Sequence, residues 1–268
     1  IMHDCAICDW VCALMPSIDL NSDLAEGYGA YQLTADEDLL GIVSSANVAC
    51  GLHAGDPEIM ARVFKQAKDK GVAIGAHPGF PDLWGFGRRR IPFSLGEIER
   101  LIAYQVGAAQ ALATYAGHRI TYVKAHGALG NMAEEQSNIA GAVARAVRAV
   151  DRDLAILAGP LGAQTPATTK EGLRAVAEIF ADRGYTEQGM LIPRGQPGAM
   201  ILDAEAAANR IIAMIEHRAV ITASGTHIPT EIESICVHGD SMHAVETARL
   251  LRARLEAAGL TIAPFSQI

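Results

Sequence analysis

Acids, histidines and one lysine fall at the C-terminal ends of short apolar runs throughout this chain. "DLNSDLAEG" carries Asp19, Asn21, Asp23 and Glu26. "NVACGLHAGDP" carries Asn47, Cys50 and His53, and "GAHPG" carries His77. "VKAHG" supplies Lys124 and His126, "RAVAE" ends on Glu178 with Asp182 and Arg183 close behind, and "VHGD" delivers His238 and Asp240. Carboxylates and imidazoles move protons near neutral pH, and an ammonium can stabilise a developing anion. Lys124 is the first choice for contact with a phosphate or carboxylate, because an unpaired ammonium at the end of a buried strand would be costly. A structural ion pair is its alternative. His126 is a candidate acid or base, and Asp23 and Glu26 are candidate bases. Asn47, Cys50, His53, His77, Glu178, Arg183, Arg194, His238 and Asp240 are candidate substrate contacts, with Asp240 also placed to orient a histidine. A lone cysteine such as Cys50 is most often a small buried hydrophobe, and Cys236, inside a strand, reads as core.

Several other chemistries find little support. "DLNSD" alternates oxygen ligands but lacks the downstream glycine and glutamate of a calcium loop. Asp23, His53 and His77 are an alternative metal triad, but the expectation is no resident metal and no tightly bound cofactor. "HDCAICDWVC" places Cys5 and Cys8 at CxxC spacing, yet no second pair completes a zinc site. No GxxxxGK[ST] is present and no GxGxxG follows a strand, so a nucleotide would bind without a P-loop. "GPLGAQTP" and "IPRGQPGAM", the second containing Arg194, read as lids or phosphate-contacting loops, or as plain surface loops.

The elements that must position these groups alternate regularly. Strands are expected at "SIDL" from Ser17, "SSANVAC" from Ser44, Val72–Ala76, Ile120–Lys124, Leu154–Ala158, Arg174–Glu178, Ser234–His238 and in "LTIAP" near the end. Asp56 caps a helix that begins at Pro57 and stops at Gly71. Ser94 and Glu97 form a capping box for a helix running to Ala116, with Gly117 as its stop. Residues 131–150 read as one long amphipathic helix, followed by a shorter helix before "RAVAE", a helix capped by Asp203 and another stopped by Gly259. Such a series predicts parallel α/β architecture. An open doubly wound sheet would gather its chemical residues at one switch point. Here at least six strand ends carry them, which predicts a closed βα barrel, incomplete at seven strands, with its site on the C-terminal rim.

Composition sets the outer bounds. Half of the 268 residues are hydrophobic and 19% are charged, so a large core is available. The formal net charge is −8, and "GRRR" at 87–90 is the one basic cluster, a solvated loop or an anion site. Nucleic acid is therefore not an expected partner. No apolar run approaches the roughly 20 residues of a membrane span, and no membrane association is expected. Residues 1–14 are expected to be an extension outside the fold, with "MPSIDL" at Met15 as the natural start and residues 15–268 as a single barrel domain. The lack of a basic leader and the scattered, odd cysteine number fit a reducing cytoplasmic setting.

"DLNSDLAEGYG", "SSANVACGLHAGDP", "GAHPGFPDLWGFGRR", "VKAHGALGN", "EIFADRGY", "LIPRG" and "ICVHGD" together resemble the LamB/YcsF family, in its order and from Ser17 to the C-terminus. The chain departs from the family pattern at Ser22, where cysteine is usual, at Ala25, where glycine is usual, and at Ala125 and Gly130, where proline and tyrosine are usual. None of these removes a carboxylate, histidine or lysine. The resemblance implies a seven-stranded, TIM-like barrel of the glycoside hydrolase/deacetylase type. It also implies a cytoplasmic hydrolase that opens the lactam of 5-oxoproline to glutamate with ATP, and with Mg2+, as co-substrate. The implied partners are B and C subunits and a small lactam, with further copies of the chain as an option. ATP coupling has a chemical reason: nitrogen donation makes the lactam carbonyl a poor electrophile, and phosphorylating its oxygen would remove that donation. A metal-dependent amidase or deacetylase without ATP, and a non-catalytic lactam-binding protein, are the alternative readings.

Overall fold

Short runs rich in alanine and β-branched residues, each followed by an amphipathic helix, bury both faces of a sheet and so favour parallel strands. The structure is a computed structural model that describes residues 16–239 and 244–267. Its elements begin β1 (Ser17–Leu24), α1 (Asp36–Leu39), β2 (Ser45–Ala49), α2 (Pro57–Lys70), β3 (Ala73–His77) and α3 (Leu95–Tyr115). They continue β4 (Ile120–Val123), α4 (Gly127–Glu135), α5 (Ser137–Val150), β5 (Ala155–Ala158), α6 (Gln164–Lys170) and β6 (Ala175–Phe180). The last are α7 (Ala204–His217), β7 (Ala219–Ile221), β8 (His227–Pro229), β9 (Ser234–Cys236), α8 (Ala244–Ala257) and β10 (Thr261–Ile262). Parallel pairing runs β1-β2-β3-β4-β5-β6-β9, and β9 pairs again with β1. The sheet thus closes into the expected seven-stranded barrel, and closure removes its edges. β10 lies beside the start of β1, and β7 and β8 form an antiparallel hairpin that the sequence did not announce.

Local signals set the helices. The Asp56 carboxylate accepts from the Glu58 and Ile59 amides, Pro57 opens α2, and Gly71 ends it at φ 70°. The Ser94–Glu97 capping box is formed at the start of α3. The expected single helix over 131–150 is instead α4 and α5, broken at Gln136, whose backbone is extended. No proline or glycine causes the break. Ala163 N bonds the Glu134 carbonyl and Gly159 N bonds the Glu134 carboxylate, which ties the end of α4 to the loop after β5 while α5 packs on α3.

β1 also corrects the sequence reading. It runs to Leu24, well past the expected "SIDL". Its side chains alternate: Ile18, Leu20 and Leu24 are buried among the apolar residues of the core, while Asp19, Asn21 and Asp23 enter the barrel. The polar residues look like loop in sequence because the interior they meet is itself polar. Asn21 Nδ2 donates to Ser234 Oγ at 2.7 Å and to Glu178 Oε1 at 2.9 Å. Asn47 Nδ2 donates to Asn21 Oδ1 at 2.7 Å and to Asp23 Oδ1 at 2.8 Å, and Asn47 Oδ1 accepts from the Tyr122 hydroxyl at 2.7 Å. Tyr122 lies across the barrel only because residue 75 is glycine, since a Cβ there would meet its ring at 2.3 Å. After β1 the chain turns at Ala25, which adopts φ 59°, a conformation that favours glycine and that a side chain makes strained.

Asp19 lies below this network. Ser44 Oγ and Ser45 Oγ are 2.8 and 2.6 Å from its Oδ1, and Ser234 Oγ donates to Oδ2. Burial pushes the Asp19 carboxyl up to about 6 despite these bonds. A folded value above the ordinary 3.8 means that protonated Asp19 favours the fold. This contribution is present at low pH and is lost as pH rises through about 6, a span worth about 3 kcal/mol. Asp19→Asn should therefore gain stability relative to the parent chain as pH is raised from about 4 to about 7. Paired thermal melts across that range measure it, and a constant difference would show that Asp19 is ionised throughout.

Candidate active site

The strand carboxyl ends share one rim, and there Lys124, the residue after β4, points into the barrel. Its Nζ lies 3.0 Å from Asp23 Oδ1, 2.9 Å from Glu178 Oε1 and 3.0 Å from Cys236 Sγ. The Phe180 ring lies 5.0 Å from the ammonium. Burial works against the charge, but the two carboxylates outweigh it and raise the Lys124 pKa well above its usual value. Asp23 is held well below the carboxylate range, since the Lys124 ammonium overcomes its burial, whereas burial leaves Glu178 raised. Burial also keeps Cys236 a thiol. Cys236 is therefore an inward-facing partner of Lys124 and not the plain core residue that the sequence suggests. It shares a rung with Asn21 and Phe180, which the alternation from Ser234 implies once the strand register is known.

Four histidines flank this centre. His77, the last residue of β3, donates from Nδ1 to the Lys124 carbonyl at 2.8 Å, and its Nε2 lies 3.5 Å from Asp23 Oδ2. His126, which precedes α4, donates from Nε2 to the Phe86 carbonyl at 2.7 Å. Its ring stacks on His53 at 3.7 Å between centroids. Glu26 Oε1 lies 3.3 Å from His126 Nδ1 and 3.4 Å from His53 Nε2. Burial and His126 push His53 down to about 3, and burial lowers His126. His238 stands on the opposite side of Asp23, with Nε2 4.0 Å from Asp23 Oδ2 and Nδ1 2.8 Å from Asp182 Oδ1. Burial disfavours its charge, but the Asp182 carboxylate prevails and raises its pKa.

A cavity opens over the Lys124 centre. Asp23, His77, His126 and His238 line it together with Lys124 and Phe180. Arg88, Arg90, Arg183 and Arg194 stand around it. It continues toward α4 and the loop after β5, where burial raises the Glu134 carboxyl to about 7. The Arg183 guanidinium donates to the Ala199 and Ile192 carbonyls, at 3.0 and 2.6 Å, and so pins the "IPRGQPGAM" loop that carries Arg194. Burial lowers Arg183 to about 10, which leaves it charged at neutral pH.

The expected residues thus separate into groups. Asp23, His77, Lys124, His126, Glu178, Arg183, Arg194 and His238 border the cavity. Asn47 lies beneath it, with its donors and acceptor used inside the barrel to fix Asp23. Glu26 and His53 lie behind His77 and His126 and do not line the cavity. The Cys50 thiol meets its own strand at the Val48 carbonyl, is pushed up to about 12 by burial, and also lies outside the lining. Asp240 and residues 1–14 lie outside the described residues. Cys236 and Glu134 belong to the site although neither was among its expected members, Asp182 joins it through His238, and of "GRRR" Arg88 and Arg90 stand at the cavity while Arg89 pairs with Asp82 away from it. Two groupings could hold a metal ion among the described residues: Glu26 with His53, His77 and His126, and Asp23 with Cys236 and His238. The alternative triad of Asp23, His53 and His77 is not one of these groupings; His53 and His77 group instead with Glu26 and His126.

Comparison with known proteins agrees with this architecture. The LamB/YcsF family profile matches residues 18–268. The A subunit of 5-oxoprolinase from Azorhizobium caulinodans is 74% identical over 94% of this chain and 100% of its own length. The corresponding A subunit from Gluconobacter oxydans is 54% identical over 92% of this chain and 97% of its own. The crystal structure of a lactam utilization protein from Thermus thermophilus superposes with a TM-score of 0.87 at 40% identity, covering 92% of this chain and 99% of that one. With a full-length profile match, near-complete relatives and the same barrel, this chain belongs to the LamB/YcsF family.

Proposed function

We propose that this chain is the A subunit of a 5-oxoprolinase and opens the lactam of 5-oxo-L-proline to L-glutamate, coupled to ATP hydrolysis with Mg2+ and assisted by B and C subunits in the cytoplasm. One observation carries the reading from the geometry: a chain of net charge −8 surrounds its cavity with four arginines and places Lys124 at the floor. Such a cavity attracts a small anion against the overall field. 5-Oxoproline is a lactam with one carboxylate, and any phosphorylated intermediate on its path is more anionic still. The names of the relatives that this chain matches over nearly their whole length support the same substrate. Among the described residues no helix is long and apolar enough to cross a membrane.

In this reading the substrate carboxylate faces the guanidinium groups of Arg88 and Arg194 at the cavity mouth. The ring carbonyl turns toward Lys124; its oxygen takes the terminal phosphoryl group of ATP, with ADP leaving, and the ammonium stabilises the negative charge gathered there. Asp23, ionised by Lys124, accepts the proton of the attacking water. His238, whose protonated form the Asp182 carboxylate favours, gives a proton to the ring nitrogen as the C–N bond breaks, and a second water hydrolyses the acyl phosphate left behind to glutamate and phosphate. The two groups face each other at 4.0 Å with their pKa values driven apart, as an acid and a base require. Glu178 and Cys236 hold the lysine in place.

Glutamate release from 5-oxo-L-proline, measured with and without ATP and with and without B and C subunits, tests the proposal. The expected result is turnover that needs ATP and is greatest with all three chains. Equal turnover by this chain alone without ATP would favour an uncoupled amidase.

Lys124→Met separates the roles of the lysine. Turnover should fall by about 100-fold or more, the scale of losing one transition-state electrostatic partner. Stability should fall as well, by about 3–5 kcal/mol at neutral pH, because Asp23 and Glu178 lose their counter-ion. Without the ammonium, burial raises both carboxyl pKa values above their unfolded values, so the variant keeps stability at low pH and loses it as pH rises. The melting-temperature gap to the parent chain should therefore widen from about pH 5 to about pH 8. A folded variant with near-normal turnover would remove Lys124 from the mechanism.

A further inference from the structure

Behind the cavity wall, three imidazoles and one carboxylate converge with their donor atoms unanswered. Glu26 Oε1 and both ring nitrogens of His53 are buried and make no hydrogen bond. The tautomers of the other two rings follow from their partners. A carbonyl has no proton to give, so His77 Nδ1 and His126 Nε2 must carry hydrogen to bond the Lys124 and Phe86 carbonyls. Neutral rings in these tautomers turn bare lone pairs toward each other, from His77 Nε2 and His126 Nδ1, at 3.0 Å. Two lone pairs at that distance repel unless a cation lies between or beside them. One extra proton would answer that pair and still leave His53 without a partner.

The spacing suits an ion. A tetrahedral centre with bonds of about 2.0–2.1 Å has donor–donor edges of about 3.3–3.4 Å. The separations here are 3.0 Å for His77–His126, 3.3 Å for Glu26–His126, 3.4 Å for Glu26–His53 and 3.9 Å for Glu26–His77. All four donor atoms lie within 4.8 Å of one another. The backbone is shaped to the rings: a Cβ on Gly79 would lie 2.5 Å from His53 Nδ1, and one on Gly87 would lie 2.8 Å from His126 Cδ2. Nearby Lys124 does not supply the missing charge, because its ammonium is engaged by Asp23 and Glu178.

We infer that Glu26, His53, His77 and His126 form a binding site for a divalent first-row transition metal, with Zn2+ the best fit to three nitrogens and one oxygen. This departs from the expectation of no resident metal and stands independently of the lactam reading. The ion would hold His77 and His126, which also line the cavity, and set a positive charge beside Asp23, whose Oδ2 is 3.5 Å from His77 Nε2.

The test uses untagged full-length chain stripped with a chelator and then titrated with Zn2+ or Co2+, with folding followed by circular dichroism. The expected result is one Zn2+ per chain with a Kd below about 1 μM. The Co2+ form should show d–d bands of a nitrogen and oxygen site, without the intense thiolate-to-cobalt band in the near ultraviolet. Glu26→Gln and His53→Gln should each weaken Zn2+ binding by about 100-fold or more. Cys236→Ser, and joint replacement of Cys5, Cys8 and Cys12 by serine, should leave it unchanged. A folded, stripped parent chain that takes up no stoichiometric metal overturns the inference, as does a strong thiolate band or full affinity in folded His53→Gln. The titration of the parent chain decides the matter even where a variant fails to fold.

Discussion

A lysine ammonium held between two carboxylates inside a barrel is the interaction on which the rest of this structure depends. Lys124 bridges Asp23 from β1 and Glu178 from β6, strands that are not neighbours in the sheet, so one ion network spans the closed ring. Taking three charges out of water is expensive, and the arrangement persists only with further hydrogen bonds. Asn21 and Asn47 supply them, with Tyr122 and Ser234 completing their own valences in turn. The polar interior is thus a saturated network. Its upper surface is the floor of the cavity, so the groups that stabilise the barrel centre also set the ionisation of the groups that face a ligand.

The same network explains how neighbouring acids take different protonation states. Asp23 is ionised because it has the Lys124 ammonium beside it. Asp19, lower in the barrel, has only serine hydroxyls and is raised toward neutrality. His238 is raised by Asp182, while His53 is driven down by burial and by His126. Residue type alone fixes none of these states, and position along the barrel axis and the nearest charge decide them.

Much of this was legible in the chain itself. The strand–helix alternation and the clustering of titratable residues at strand ends lead to a closed barrel with one chemical rim, because parallel strands carry all their C-terminal ends to one side. Caps such as Asp56 and the Ser94–Glu97 box are local and appear as expected. What the sequence hid depends on contacts between distant segments. β1 looked like a short strand plus a loop because its inward residues are polar, and only the opposite wall reveals why they are buried. Cys236 looked like core because its register against Lys124 is set by closure of the ring. Glu26 looked like a base beside Asp23, yet the turn through Ala25 carries it behind His77 and His126. The split of the 131–150 helix follows from the bonds that tie Glu134 to the loop after β5, which no helix propensity encodes.

The central claim is that the Lys124 centre receives a lactam at the floor of an arginine-ringed cavity. A crystal structure of the chain with 5-oxo-L-proline bound tests it most directly. The account predicts the ring carbonyl oxygen within hydrogen-bonding distance of the Lys124 ammonium, the carboxylate toward Arg88 and Arg194, and the ring nitrogen on the His238 side of Asp23. A ligand seated elsewhere on the barrel, or one in this cavity with its carbonyl turned away from Lys124, would contradict it.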